Sequence, residues 1–177
     1  MPIARTLFTE SKKLRIFDFD DTLVKTNSFI YITHKDGKKS KLSPGEYAVY
    51  KERPGDVFDY SDFQKVTEPK LIKGYVEVLR RMAAADSGRT VYILTARAAY
   101  KPIYDFIRKL GIRNVEVIAL GDNNPEKKAD WIEAKVRDEG YDDVFFVDDS
   151  LKNVEAVRKR LKGYPKVKQK IQHIKHS

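Results

Sequence analysis

Cysteine is absent from the 177 residues, which excludes disulfides, thiolate metal sites and a thiol nucleophile. Histidine is scarce too: His34, His173 and His176 share no metal-like spacing and are assigned to the surface. Any metal therefore falls to carboxylate oxygens. Also missing is an apolar run long enough to span a bilayer, and Met1 to Lys13 lacks the apolar centre of a secretory signal. A soluble, cytoplasmic protein with no membrane partner is expected. No internal repeat or low-complexity stretch is evident, and a hydrophobic content of 41% suits one well-packed domain over 1–177.

Charge is present in excess and unevenly spread. The formal net charge is +9, yet Lys159 to Ser177 holds seven basic residues and no acidic one, which leaves +2 for everything before it. Such a basic end either attracts a phosphate backbone or an acidic partner, or serves as a solvated face.

Apolar patterning divides the chain into alternating elements. Pro2 to Lys13 has no strong period and reads as an arm or an edge strand. A short buried strand ends near Phe17. Phe29 to Thr33, the Asp36-Gly37 turn signal and Lys38 to Leu42 read as a hairpin. Ser43-Pro44-Gly45-Glu46 carries a capping box and starts a short helix, and Val57 to Val66 has no assignable period. Residues from about 28 to 68 are read as one inserted, flap-like element. Beyond it, Ile72, Tyr75, Val76, Leu79 and Met82 recur at helical spacing, as do Ile103, Phe106, Ile107 and Leu110, then Ala129, Ile132 and Val136, then Leu151, Val154, Val157 and Leu161. Between them lie apolar runs at Thr90 to Leu94, Val115 to Leu120 and Val144 to Val147. Continuously apolar strands alternating with helices predict a doubly wound α/β fold with a parallel sheet covered on both faces. In the basic tail, about 163–177, Val167, Ile171 and Ile174 fall at helical spacing among lysines and fit either a short amphipathic helix docked on the body or a frayed end.

Three carboxylates within four residues, Asp18, Asp20 and Asp21, follow directly on the first strand, a pattern that packing alone does not select. Asp18 and Asp20 leave an extended chain on the same side, where their repulsion either raises a pKa or calls for a cation. A hard ion such as Mg2+, with its preference for oxygen ligands, is the usual answer; the plainer reading is a solvated acidic turn after an edge strand. The predicted fourth strand also ends in acid, at Asp148-Asp149. Open parallel sheets bind ligands beyond the carboxyl ends of their strands, where Thr95 and the Lys127-Lys128 pair fall as well. Each has a plainer reading: Thr95 as the cap of a strand-to-helix turn, Asp148 or Asp149 as a helix cap, Arg97 as a surface ion pair rather than a contact to substrate phosphate.

The order Asp18-Phe-Asp20-Asp-Thr22, an apolar strand ending in Thr95, a lysine, and a strand ending in Asp148-Asp149 resembles the haloacid dehalogenase-like superfamily of phosphohydrolases, from about Leu14 to Leu161. The resemblance implies Asp18 as nucleophile and Asp20 as acid/base, with Thr95 on a phosphoryl oxygen and a lysine steadying nucleophile and charge. Of the two lysines, Lys128-Ala-Asp-Trp-Ile132 matches the family pattern better than Lys127. It further implies a Mg2+ site from Asp18, Asp20, Asp148 and Asp149, and substrate contacts at Thr22, Ala96 and Arg97; Ala96 stands where many relatives carry Gly or Asn. A second carboxylate suits phosphoryl transfer, which has a leaving oxygen to protonate, better than dehalogenation.

Thr95-Ala-Arg97 and the stretch from Asp122 to Asn153 are also similar to the 3′-phosphatase domain of phage polynucleotide kinases. The insertion is small for a full cap, and its His34, Lys35, Lys38, Lys39 and Lys41 interleave with Phe29, Tyr31, Tyr47 and Tyr50, which suits a strand held by its backbone. The expected activity is thus hydrolysis of a phosphomonoester, with polynucleotide 3′ ends as substrate. Nucleotides, sugar phosphates and phosphoproteins remain open, as does a non-catalytic nucleic-acid-binding module.

Overall fold

The computed structural model describes residues 11–175. The arm expected at Pro2 to Lys13 lies mostly outside them, as does His176. Its centre is a five-stranded parallel sheet of β1 (Lys13–Phe17), β7 (Arg89–Thr95), β8 (Val115–Ala119), β9 (Asp143–Asp148) and β10 (Lys168–His173), in the order β10-β9-β1-β7-β8. Strands β1, β7 and β9 are buried almost throughout, as continuous apolar runs require when both faces of a sheet are covered.

Two separate cores form, one per face. Alternation along each strand deals the side chains out: Phe17, Ile93 and Val147 go to one face, and Leu14, Ile16, Leu94 and Phe146 to the other. On the first face, α2 (Lys73–Met82) docks through Val76 and Leu79, and α3 (Lys101–Lys109) through Ile103 and Ile107. On the second, α4 (Pro125–Glu139) docks through Ala129, Ile132 and Val136, and α5 (Leu151–Leu161) through Val154, Val157 and Leu161. These are the stripes seen in the sequence, and the caps fall where their chemistry puts them. Asn124 accepts from the Glu126 amide at the start of α4, and Gly140 ends that helix at φ 74°.

Residues between β2 (Val24–Lys25) and β6 (Lys70–Leu71) form a separate antiparallel sheet, with β2 and β6 paired as its neck. Strands β3 (Ile30–Thr33) and β4 (Lys39–Leu42) make the hairpin, followed by α1 (Pro44–Ala48), whose capping box joins Ser43 and Glu46 in both directions. The stretch without a period contains β5 (Val57–Asp59), which pairs with the far side of β3, and a 3₁₀ turn over Ser61–Gln64. Its aromatics pack on one another: Tyr47, Tyr50 and Tyr60 surround Phe58. Asp56 ties the unit together by accepting from Tyr50 Oη at 2.7 Å and the Arg53 amide at 2.9 Å, and it meets His34 Nδ1 at 2.7 Å. His34 is therefore a half-buried, paired residue rather than a plain surface one.

The tail departs from the sequence-based expectation. Instead of a helix, it adds β10 as a fifth parallel strand, in register with β9 from Lys168 opposite Asp143 to His173 opposite Asp148. A spacing of three residues allows both readings, because it puts two side chains on one face of a helix but on opposite faces of a strand. Here Ile171 packs on the second core and Ile174 joins the first. Satisfying the backbone groups of β9 decided the outcome, and the exposed Lys168 and Lys170 ahead of Ile171 suit a sheet edge.

Candidate active site

Parallel pairing brings the carboxyl ends of β1, β7 and β9 to one rim of the sheet. Asp18 follows β1, and its amide donates to the Val147 carbonyl at 3.0 Å, which fixes it beside Asp148 at the end of β9. Phe19 then anchors a tight loop by accepting from the amides of Thr22, Leu23 and Val24, with Asp21 in the left-handed region at φ 62°.

Lys128, from the first turns of α4, is 3% exposed and stands between two carboxylates. Its Nζ donates to Asp18 Oδ1 at 2.8 Å and to Asp148 Oδ2 at 2.9 Å. The neighbouring Lys127 is exposed and lies on a different face of the helix, beside Trp131. Thr22 Oγ1 donates to Asp18 Oδ2 at 2.9 Å. Asp148 accepts from the Ser150 amide and from Asn153 Nδ2, each at 2.9 Å. Ser150 and Asn153 were not among the expected site residues. The signal for them was there: Ser150 is the N-cap of α5, and a capping Ser places the residue three further on beside it.

Carboxylate oxygens of Asp18, Asp148 and Asp149 all lie within 4.8 Å of one another. Three carboxylates set against one ammonium leave a net negative charge in a largely buried place, and the donors are all hard oxygens. That set fits a metal ion. Burial, reinforced by the charge of Asp148, pushes the Asp18 carboxyl up to about 6, against the pull of Lys128. Asp149 is raised further, by burial and then by the charge of Asp18. For Lys128, burial works against the charged form but is outweighed by Asp148 and Asp18, so the ammonium stays protonated.

These shifts give a testable sign. In the unfolded chain Asp18 titrates near 4, and in the folded protein near 6, so the stability this group lends is complete below the first value and lost as pH rises through the second. A divalent ion needs the ionised form. A divalent ion held by the cluster would therefore raise Tm little at pH 5 and by several degrees above pH 7, since saturation near 100 times Kd stabilises by about 2.7 kcal/mol; titration with Mg2+ is the check. A rise that is the same at both pH values would remove Asp18 from the metal site.

Asp20 is placed differently from its expected role as a metal ligand. Its carboxylate is held by Arg97, with Nε at 2.8 Å from Oδ2 and Nη2 at 2.7 Å from Oδ1, and it is not part of the three-acid cluster. Arg97 is 5% exposed and also donates through Nη1 to the carbonyls of Phe63 and Lys65. It is thus a buried clamp joining Asp20 to the antiparallel insertion, neither a surface ion pair nor an open substrate contact. Thr95, at the end of β7, is buried, and its hydroxyl accepts from the Arg97 amide at 3.1 Å across Ala96. That bond shapes the turn presenting Arg97.

No protein-family model and no curated protein matches the chain. Among solved structures, it is similar in fold to a chain of the "Structure of the Pnkp1/Rnl/Hen1 RNA repair complex", with a TM-score of 0.54 and 19% identity. The match covers 96% of this chain and 45% of that one, so this chain spans a little under half its length. At that identity the likeness establishes the fold: a mixed, Rossmann-like α/β architecture with a five-stranded parallel sheet. Among the described residues, no helix is long and apolar enough to cross a membrane.

Proposed function

We propose that the chain is a Mg2+-dependent phosphomonoester hydrolase of the haloacid dehalogenase-like kind, acting through an aspartyl phosphate on polynucleotide 3′-phosphate ends. The carrying observation is the position of Lys128, which bridges Asp18 and Asp148 inside the three-carboxylate cluster. Buried lysines and carboxylates are costly to assemble, and a structural ion pair needs one acid, not three. The RNA repair setting of the similar chain favours nucleic-acid ends over small phosphates.

In this reading Asp18 attacks phosphorus, an Asp18 Oδ to P bond forms, and the bond from P to the leaving oxygen breaks. Asp20 gives the leaving oxygen its proton, then takes one from the water that attacks the aspartyl phosphate and regenerates Asp18; such transfers contribute about 10²–10⁴-fold. Arg97 orients Asp20: one of its two bonds opens when an Asp20 oxygen carries the proton, and the other keeps the carboxyl in place. Lys128 steadies Asp18, and the Thr95 hydroxyl serves a phosphoryl oxygen. Mg2+, held by Asp18, Asp148 and Asp149, would offset the repulsion between an anionic nucleophile and an anionic phosphate.

The test is phosphate release, with and without Mg2+, from a 3′-phosphorylated oligonucleotide beside the matching nucleoside 3′-monophosphate. Faster metal-dependent turnover of the oligonucleotide is expected. Equal or faster turnover of the mononucleotide would overturn polymer ends as the substrate and leave a small-molecule phosphatase.

A further inference from the structure

The insertion that looked suited to hold a nucleic-acid strand is electrically balanced: residues 28–68 carry seven basic and seven acidic side chains. Its aromatic rings are also engaged with one another, and Tyr31 and Tyr50 donate their hydroxyls to Asp62 and Asp56. The opposite holds for residues 156–177, which carry eight lysines and arginines and no acid. One of these, Arg160, is consumed by ion pairs to Glu126, Asp130 and Glu133 on α4. The lysines of β10 are exposed, two residues apart on the strand, about 7 Å along its axis.

Between β10 and α5 lies a groove of about 540 Å³, walled by Arg158, Lys170, His173 and Lys175 and floored by Ile171 and the half-exposed Leu151. One end of it adjoins the segment after β9 that carries Asp148 and Asp149. His173 Nε2 lies 3.0 Å from the Asp149 carbonyl, and the Ile174 amide donates to the Asp148 carbonyl at 3.0 Å. Leu151, in its floor, follows directly on Asp149-Ser150. One end of the groove therefore meets the loop that carries two of the three clustered carboxylates.

We propose that this groove, and not the insertion, carries the phosphodiester backbone of a polynucleotide strand and leads its end toward Asp18. The inference rests on the phosphatase reading only for what happens at that end. Cationic side chains on an edge strand neutralise phosphates without reading bases, and among the described residues no phenylalanine, tyrosine or tryptophan lines the groove. Binding is therefore independent of sequence and strongly dependent on salt.

The experiment measures binding of a fluorescent single-stranded oligonucleotide with a 3′ phosphate to the full chain. It is done without divalent ions, so that nothing turns over, and between about 50 and 200 mM salt. A variant combining Lys170→Gln and Lys175→Gln, which line the groove, with Lys168→Gln, exposed beside it two residues before Lys170 on β10, is expected to bind at least about tenfold more weakly at the low end, with a log K against log salt slope smaller by about 2, since each lost phosphate contact removes about 0.7. The corresponding triple Lys→Arg variant should bind like the unaltered protein. A triple Lys35→Gln, Lys39→Gln, Lys41→Gln variant in the insertion should stay within about twofold, because a balanced surface adds little to the field.

Unchanged affinity and slope in the β10 variant, or loss of both in the insertion variant, would overturn the proposal. So would failure of the unaltered protein to bind the oligonucleotide, which would make an acidic polypeptide the better occupant. Hydrolysis of p-nitrophenyl phosphate separates the two readings. It should be untouched in the β10 variant. Its absence from the unaltered protein, with groove-dependent binding intact, would sink the phosphatase and leave the groove standing.

Discussion

The Asp18→Asn variant is expected to lose phosphate release by about 10⁴-fold or more, the scale on which removal of a covalent nucleophile acts. Binding of a phosphorylated oligonucleotide should survive within a few-fold. The amide keeps the size of the side chain, its oxygen still accepts from Lys128, and its NH2 faces the Thr22 hydroxyl, which can turn to accept, but it cannot form the aspartyl phosphate. Metal-free stability should move the other way. A carboxyl raised to about 6 is destabilising in the ionised form, so its removal stabilises the protein at pH 7.5 by on the order of 1–3 kcal/mol. Phosphate release and Tm measured on one preparation check both. A variant that still turns over would exclude Asp18 as the nucleophile, and lost turnover with lower stability would mean the substitution had disrupted the site. A binding module without catalysis predicts no turnover in either form.

The second large effect is expected at Lys128. Methionine matches the length and thickness of the lysine stem but removes the ammonium that bridges Asp18 and Asp148, leaving buried carboxylates uncompensated. Breaking a buried pair from one side typically costs about 3–5 kcal/mol. For a chain of this size, Lys128→Met should therefore lower Tm by roughly 10 °C. Mg2+ should restore more stability to this variant than to the unaltered protein, because the cation then supplies all the positive charge. Lys127→Met, one position away and exposed, should change stability by no more than about 0.5 kcal/mol. Equal effects at the two positions would show that Lys128 is not the counter-charge of the site, and thermal unfolding with and without Mg2+ distinguishes the cases.

The Arg97 clamp connects these predictions to the insertion. Its guanidinium meets both oxygens of Asp20 and two carbonyls, and its planar fork is what makes all four contacts possible from one position. Lysine, a single point donor, cannot reproduce them. Arg97 therefore fixes the orientation of Asp20 and ties it to the insertion, which helps to hold the proposed acid in place.

The alternation of apolar runs and helical stripes was legible because each element obeys a local rule: period two or a continuous run for strands, and period near 3.6 with Asn124, Gly111 and Gly140 at the ends for helices. The clustering of Asp18 and Asp148 at strand ends was legible for the same reason, since a parallel sheet puts all its carboxyl ends on one rim. Three things needed the tertiary structure. Lys128 rather than Lys127 enters the cluster because the face α4 buries is set by its packing on the sheet, and neighbouring positions on a helix point about 100° apart. Asp20 turns to Arg97 and away from the three-carboxylate cluster because Arg97 arrives just beyond β7, 77 residues later in the chain. The tail becomes β10 because the backbone of β9 offers it hydrogen bonds that no local pattern records, whereas Ile171 and Ile174 alone fit a helix as well as a strand. What sequence by itself determined here are the elements, their ends and the acids they carry. Which side chains meet, and with what partners, was decided by long-range packing, because the cost of burying a charge depends on neighbours that only the fold assembles.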